Sequence, residues 1–252
     1  MLIAPSWQVA LSVVLIVGLG VAASWFGHLG LGKAIVWAST RGAIQLLAIS
    51  FIVVVCIHQL WSAALFVLAM FAVAVRTTTS RVEVRRAWFW SALSMAAGVV
   101  PVLALAFLPR AAPFNGYSLL PIGSIIIGNM MTAHTLNGQR VFPALRAGLP
   151  SYEAALSIGL QRPEALDMLI DPVRRDAVIP EIDSVRTTGL VTLPGAFIGV
   201  LLGGGTPLQA GVAQLLVLVG ILTGQILTVV TMDVFIRRAL LLPEDLATRL
   251  LP

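Results

Sequence analysis

The stretch WQVALSVVLIVGLGVAASWF, Trp7–Phe26, runs for twenty residues without an Asp, Glu, Lys or Arg. An α-helix rises about 1.5 Å per residue, so this run reaches about 30 Å, the thickness of a bilayer's hydrocarbon core. A cleaved leader needs a positively charged region ahead of its apolar run, and no Lys or Arg precedes Trp7. The run is therefore expected to remain as a membrane-spanning helix.

The rest of the chain has the same character. Of 252 residues, 58% are hydrophobic and 11% charged, against about 25% charged in an average soluble domain, and the mean hydropathy is +0.97. Such a chain cannot cover a water-facing surface. Its net charge of +5 does not indicate nucleic acid, because the aromatic residues lie mainly in apolar runs rather than among basic ones. The single cysteine, Cys56, cannot form an internal disulfide.

Seven spans are expected: Trp7–Phe26, Ala34–Val55, Leu60–Val75, Trp88–Leu108, Leu119–Leu136, Thr187–Leu202 and Leu208–Ile236. His58 and Gln59 mark a tight hairpin between the second and third. The third is short for a span, and the last is long enough to tilt. Cytoplasmic connections retain Lys and Arg. Lys33 lies in the first connection, Arg76, Arg81, Arg85 and Arg86 in the third, six arginines in the fifth, and Arg237, Arg238 and Arg249 in the tail. Only Arg110 falls in the fourth, and the second and sixth have none. An odd number of spans puts every basic connection on one side, with the N-terminus outside and the C-terminus in the cytoplasm. An even number breaks the pattern.

The fold class is thus an all-α polytopic membrane protein, with one transmembrane domain over residues 1–252 and a long cytoplasmic loop, 137–186, between the fifth and sixth spans. That loop carries helix punctuation. Ser151 can cap a helix with Glu153 in its first turn, Gly159 can end it, Pro163 can open a second helix, and Pro172 limits that one.

Within the loop, Glu153-Ala154-Ala155-Leu156-Ser157-Ile158-Gly159 reads E-A-A-x-x-x-G. It resembles the EAA loop of ABC-transporter permeases, in which the motif is followed after nine residues by I-x-L-P. The corresponding residues here are Leu169-Ile170-Asp171-Pro172, with the proline in register and Asp171 where leucine is usual. The runs Arg41-Gly42-Ala43-Ile44-Gln45-Leu46, Ile127-Gly128-Asn129-Met130-Met131-Thr132 and Leu193-Pro194-Gly195 extend the resemblance to the FetB-like permeases. That family includes bacterial proteins implicated in iron export and plant relatives linked to aluminium tolerance.

The resemblance implies a permease subunit in the cell (inner) membrane, forming a homodimer that pairs with a separate cytoplasmic ABC ATPase. Glu153, Ala154, Ala155, Gly159 and Pro172 are its implied docking residues. ATP and magnesium then belong to the partner, and this subunit needs no cofactor. It implies a metal ion such as iron as cargo, moving outward, with a sugar nucleotide or other small solute as the next choice.

Gly27-His28-Leu29-Gly30-Leu31-Gly32-Lys33-Ala34 matches all but the last position of a phosphate-binding loop, where Ala34 replaces the hydroxyl residue that ligates magnesium. Catalytic triads and zinc-spaced His and Cys groups are not visible in the sequence, so no enzymatic activity is expected.

Polar residues inside spans face a bundle interior or a pathway. Arg41 and Gln45 share a face of the second span, where Arg41 can equally snorkel to water. Asn129, with Thr132 beside it, and the pair Met130 and His134 are candidates on the fifth span. Methionine packing and a hydrogen-bonded histidine are the blander account of that pair. Gln225 is the candidate on the last span, in line with Thr228 and Met232. Asp233 is expected to pair with Arg237. Gly195, Gly199 and Gly203 are expected to pack a helix closely. The rival class is an ion-gradient-driven transporter or a channel, for which an ionisable residue deep in a span is the usual mark.

Overall fold

The computed structural model describes residues 6–250, and the chain divides into two compact units, residues 1–58 and 59–252. In the first, α1 (Trp7–Phe26) and α2 (Gly32–Cys56) form an antiparallel pair. The Ser6 hydroxyl caps α1 by accepting the Val9 N–H, one of the donors a helix start leaves unpaired. The turn between them puts His28 and Gly30 at positive φ, and the Leu31 N–H donates to Ser24 Oγ at 3.0 Å. The Gly27–Ala34 stretch thus joins helix to helix, whereas a phosphate-binding loop joins strand to helix. Most apolar side chains of α1 and α2, such as Leu15, Ile16, Leu46 and Leu47, are exposed, as lipid-facing residues must be.

The second unit holds α3 (Leu60–Arg81), α4 (Trp88–Phe107), α5 (Gly116–Ala147), α6 (Leu149–Ser157), α7 (Arg162–Arg174), α8 (Ile179–Thr187), α9 (Gly195–Leu202), α10 (Pro207–Arg237) and α11 (Glu244–Ala247). Its centre is the contact of α4, α5 and α10. Glycines make that contact possible. A Cβ on Gly98 of α4 would strike the Gly224 carbonyl and Thr228 hydroxyl of α10 and come within 2.8 Å of the Met130 sulfur of α5. A Cβ on Gly224 would meet the same sulfur at 2.8 Å. Three helices meet there with one methionine filling the gap.

Two spans are longer than expected. α3 continues six residues past Val75 to Arg81, which resolves its apparent shortness. α5 has 32 residues, about 48 Å, so its last turns stand clear of a hydrocarbon core about 30 Å thick. It absorbs residues 137–147, which had been assigned to the loop.

The expected sixth span, Thr187–Leu202, is not one helix. Gly189 turns at φ +85, its N–H donates to the Thr192 carbonyl, and Pro194 precedes a helix of only 8 residues, α9. Proline lacks the N–H that a continuous helix needs and biases the residue before it away from helix. Six helices of the described residues are long and apolar enough to cross a membrane, while α8 and α9 are short helices of 9 and 8 residues within a broken segment. Glu181 of α8 meets Gln225 of α10, and the Phe197 N–H of α9 meets Gln214. The broken segment therefore runs antiparallel to α10 and delivers the chain to its start at Pro207. Of the seven expected spans, six correspond to helices of spanning length and Thr187–Leu202 does not.

The basic ends of these helices gather in one place. Arg146 at the end of α5 bonds Glu83 and Asp245, Arg86 pairs with Glu244, and Arg237 pairs with Asp167 at 2.6 Å. Beneath these pairs lies an apolar cap shared by the ends of α5 and α10, by α6 and α7, and by the tail. Phe142, Leu145, Tyr152, Leu166, Ile170, Ile236 and Leu246 are among its buried members.

Candidate functional site

α6 contains the E-A-A motif. Its start is fixed by Gly148 and Pro150 rather than by Ser151. Gly148 is the N-cap residue and Pro150 occupies the first turn. A side chain on Gly148 would collide with Leu169 of α7. Because the helix begins at Leu149, Glu153 lies in its second turn and gains little from the helix dipole. Gly159 has φ +97, a left-handed conformation glycine adopts without cost. α7 then opens with a capping box between Gln161 and Glu164, with Pro163 beside it. Pro172 lies inside α7, which continues to Arg174.

Of the five docking candidates, Glu153, Ala154, Gly159 and Pro172 are exposed, and Ile158 beside them is 79% exposed. Ala155 is not on that surface. With Tyr152 it points into the cap, at 4% and 2% exposure. The helix period explains the split, since residues 152 and 155 share one face and 153, 154 and 158 lie around the other. The exposed face is free to meet a partner, and the buried face ties α6 to the bundle.

A second site lies beside the broken passage. A cavity of about 450 Å³ is bordered by Asn129 of α5, Glu181 and Ser184 of α8, Thr188 and Thr192 of the turn, and Gln214 of α10. Glu181 accepts from Gln225 Nε2 at 3.3 Å. Gln225 is twelve residues from the end of α10 at Arg237, or about 18 Å along the helix. The carboxylate thus sits well within the length of the bundle.

The pathway candidates separate accordingly. Asn129 borders the cavity, and Gln225 holds its carboxylate. Met130 is buried between Gly98 and Gly224, and His134 is fully buried beside Thr78 at 2.9 Å. The Thr135 hydroxyl donates to the Met131 carbonyl, so Thr78 donates to Thr135, and His134 Nδ1 is left to donate to Thr78. That arrangement is packing and hydrogen bonding, and it brings no second metal donor to the imidazole. Thr132 is exposed and bonds back to the Gly128 carbonyl. Arg41 and Gln45 are exposed on α2 in the first unit.

Two further expectations are corrected. Asp233 does not pair with Arg237. It accepts from Asn137 Nδ2 of α5 at 2.9 Å, and α7 brings Asp167 to Arg237. Gly195 and Gly199 face open space, and Gly203 approaches only its own helix. Close helix approach belongs to Gly98 and Gly224 instead.

Glu181, Ser184, Thr188, Thr192 and Gln214 were not among the sequence candidates. The signal for them was the interruption itself, because Gly189 and Pro194 break an apolar run of only 16 residues. A Gly- and Pro-interrupted hydrophobic segment is the sequence mark of a binding site in many transporters.

Fold and sites together define a polytopic α-helical membrane protein with a cavity edged by a few polar side chains beside a broken segment, and with an anchored surface helix. A family model described as "Uncharacterised protein family (UPF0014)" matches residues 6–241, and the chain belongs to that family. It is 31% identical over 211 residues to the UPF0014 membrane protein STAR2 of Oryza sativa subsp. japonica, covering 81% of this chain and 72% of that one. It is 29% identical over 209 residues to the protein ALUMINUM SENSITIVE 3 of Arabidopsis thaliana, with 81% and 76% covered. To the probable iron export permease protein FetB of Escherichia coli (strain K12) it is 29% identical over 218 residues, with 83% and 82% covered. No solved structure gives a significant match.

Proposed function

We infer that this chain is the membrane-spanning permease subunit of an ABC-type exporter, a homodimer driven by a separate cytoplasmic ATPase, with a metal ion such as iron as cargo. The observation that carries this reading is the two-sided construction of α6. Its exposed face presents Glu153, Ala154, Ile158 and Gly159, while Tyr152 and Ala155 lock its other face into the core shared with α7 and α10. Packed interiors compress very little, so a pull on the exposed face moves α10, which borders the polar cavity. ATP and magnesium bind in the partner, since the Gly27–Ala34 turn lacks the magnesium-ligating hydroxyl. This subunit then has no catalytic residue of its own.

The gathered arginines face the cytoplasm of the inner membrane. Seven passages then leave the N-terminus outside and the C-terminus inside. Iron is suggested by the printed name of the bacterial relative FetB, and the Glu181 carboxylate in the cavity suits a cation. That charge disfavours the anionic sugar nucleotide that is the alternative cargo.

Exchange of Glu153→Lys tests the handle. Co-purification of the ATPase should be lost, together with ATP-dependent transport. Unchanged assembly and transport would remove the basis of this reading. One observation favours a second reading, an ion-gradient-driven transporter, because Glu181 is a half-buried ionisable group held against the middle of α10. In liposomes without an ATPase the chain should move no ion uphill; gradient-driven accumulation would establish the second reading instead.

A further inference from the structure

The cavity beside α8 and α9 offers a narrow set of chemistry. Several of its hydrogen-bond donors are already committed. Asn129 Nδ2 donates to the Ile125 carbonyl, the Thr188 hydroxyl to the Ser184 carbonyl, and Gln225 Nε2 to Glu181. Gln214 Oε1 is committed to the Phe197 N–H, which holds α9 against α10. The polar groups left for a guest are mainly oxygens, in a lining that is otherwise apolar, with Ile125, Val217, Leu218 and Ile221. These oxygens are the Glu181 carboxylate, the amide oxygen of Asn129, and the hydroxyl oxygens of Ser184, Thr188 and Thr192. No thiol, thioether or imidazole borders the space.

We propose that this cavity is the ion-binding site of the pathway, that its ligand is a hard divalent cation, and that Glu181 supplies the one anionic ligand. Oxygen donors select hard cations over soft ones. Among the described residues no group of three His, Cys, Asp or Glu could hold a metal, so one carboxylate among neutral oxygens makes a weak site. Weak binding is what passage requires, because an ion must leave as readily as it enters. Thr192 and Pro194 of the break border the cavity, while Leu190, Val191 and Leu193 between and beside them are exposed. The two halves of the broken segment are held to α10 by Glu181–Gln225 and by the Phe197 N–H to Gln214, in both cases through one α10 side chain that a small shift of α10 can release.

The inference deepens the transport reading and rests on it for the role of the ion as cargo. The test is a titration of the full-length protein in nanodiscs with Mn²⁺, following free Mn²⁺ by its electron paramagnetic resonance. Wild type should bind it saturably and release it to excess Mg²⁺ but not to Cu⁺. Glu181→Gln, which keeps size and shape, should weaken binding by about tenfold or more, and Glu181→Asp should restore part of it. Asn129→Leu, on the opposite wall, should weaken it by a smaller factor. Glu153→Lys, at the surface of α6, should bind as wild type does. Each variant is first matched to wild type by thermal melting. Saturable binding that Glu181→Gln leaves unchanged, or no saturable binding by a folded wild type, overturns the site. Loss of the ATPase from purified protein with Mn²⁺ binding intact overturns the ABC reading alone. Retention of the ATPase with unaltered transport by Glu181→Gln overturns the site alone.

Discussion

α10 passes through two kinds of surroundings. Its last turns lie in the cap, where Met232 and Ile236 are fully buried and Asp233 has a fixed partner in Asn137. Its middle faces the broken passage, where a cavity of about 450 Å³ opens and Gly195 and Gly199 meet nothing. The cap is packed like a soluble core, which compresses little. The broken passage is held by a few polar contacts and is the part that can change shape. A transporter needs both on one helix, because motion must be collected in a rigid place and spent in a soft one.

The largest expected effect comes from overfilling the tight contact of α4 with α10. Gly98→Leu pushes a side chain into the Gly224 backbone, which cannot step aside as a flexible side chain can. Overpacking usually costs about 1–3 kcal/mol and more where backbone is struck, so thermal melting should fall well below that of wild type. A folded Gly98→Leu protein with wild-type melting would show that the α4–α10 contact is looser than described.

Tyr152→Ala follows in size. Emptying a large buried aromatic site costs about 3–5 kcal/mol, here by freeing α6 from the cap. The Tyr152 hydroxyl is buried with no hydrogen-bond partner, so Tyr152→Phe, which removes an unsatisfied polar group, should melt no lower than wild type. Cation binding at the cavity should survive in any folded Tyr152→Ala protein while ATP-driven transport fails. Loss of both together would mean that cap and cavity are not separable.

On the soft side the same kind of change should do almost nothing. Gly199→Ala adds a methyl group to open space in a helix and should raise stability by about 0.5–1 kcal/mol, the helix propensity difference. A clear loss in thermal melting would reveal a neighbour packed on that face in the membrane.

How far the sequence anticipated this contrast depends on the type of signal. Long apolar runs such as Trp7–Phe26 and Leu208–Ile236 were legible because lipid demands continuous hydrophobicity. The surface helix was legible from its motif and from Gly159, whose positive φ the sequence implied. The inward turn of Ala155 was hidden, since a motif does not say which face is anchored. Asp233 and Arg237 were mispaired because spacing along one helix cannot see that α5 and α7 supply nearer partners. Glu181 looked like one more acid in a charged loop. Only the position of α8 against Gln225 separates it from exposed neighbours such as Asp183.

The smallest expected effect concerns the rim of the cap. Arg146 grips Asp245 through Nε at 2.7 Å and Nη2 at 3.0 Å. This holds the Asp245 carboxyl below its ordinary range, against a smaller opposing push from desolvation. A carboxyl that is easier to ionise in the folded state stabilises that state above its unfolded value of about 3.9. The contribution fades as pH falls through the lower, folded value. Asp245 is about half exposed, so solvent screening keeps the pair below about 1 kcal/mol. Melting temperature should therefore differ slightly between wild type and Asp245→Asn at pH 6 and converge below about pH 4. High salt should shrink the difference at pH 6, since exposed pairs are screened. A difference that persisted at acid pH or ignored salt would mean that Arg146 and Asp245 act through packing. The rim would then be as rigid as the core it surrounds.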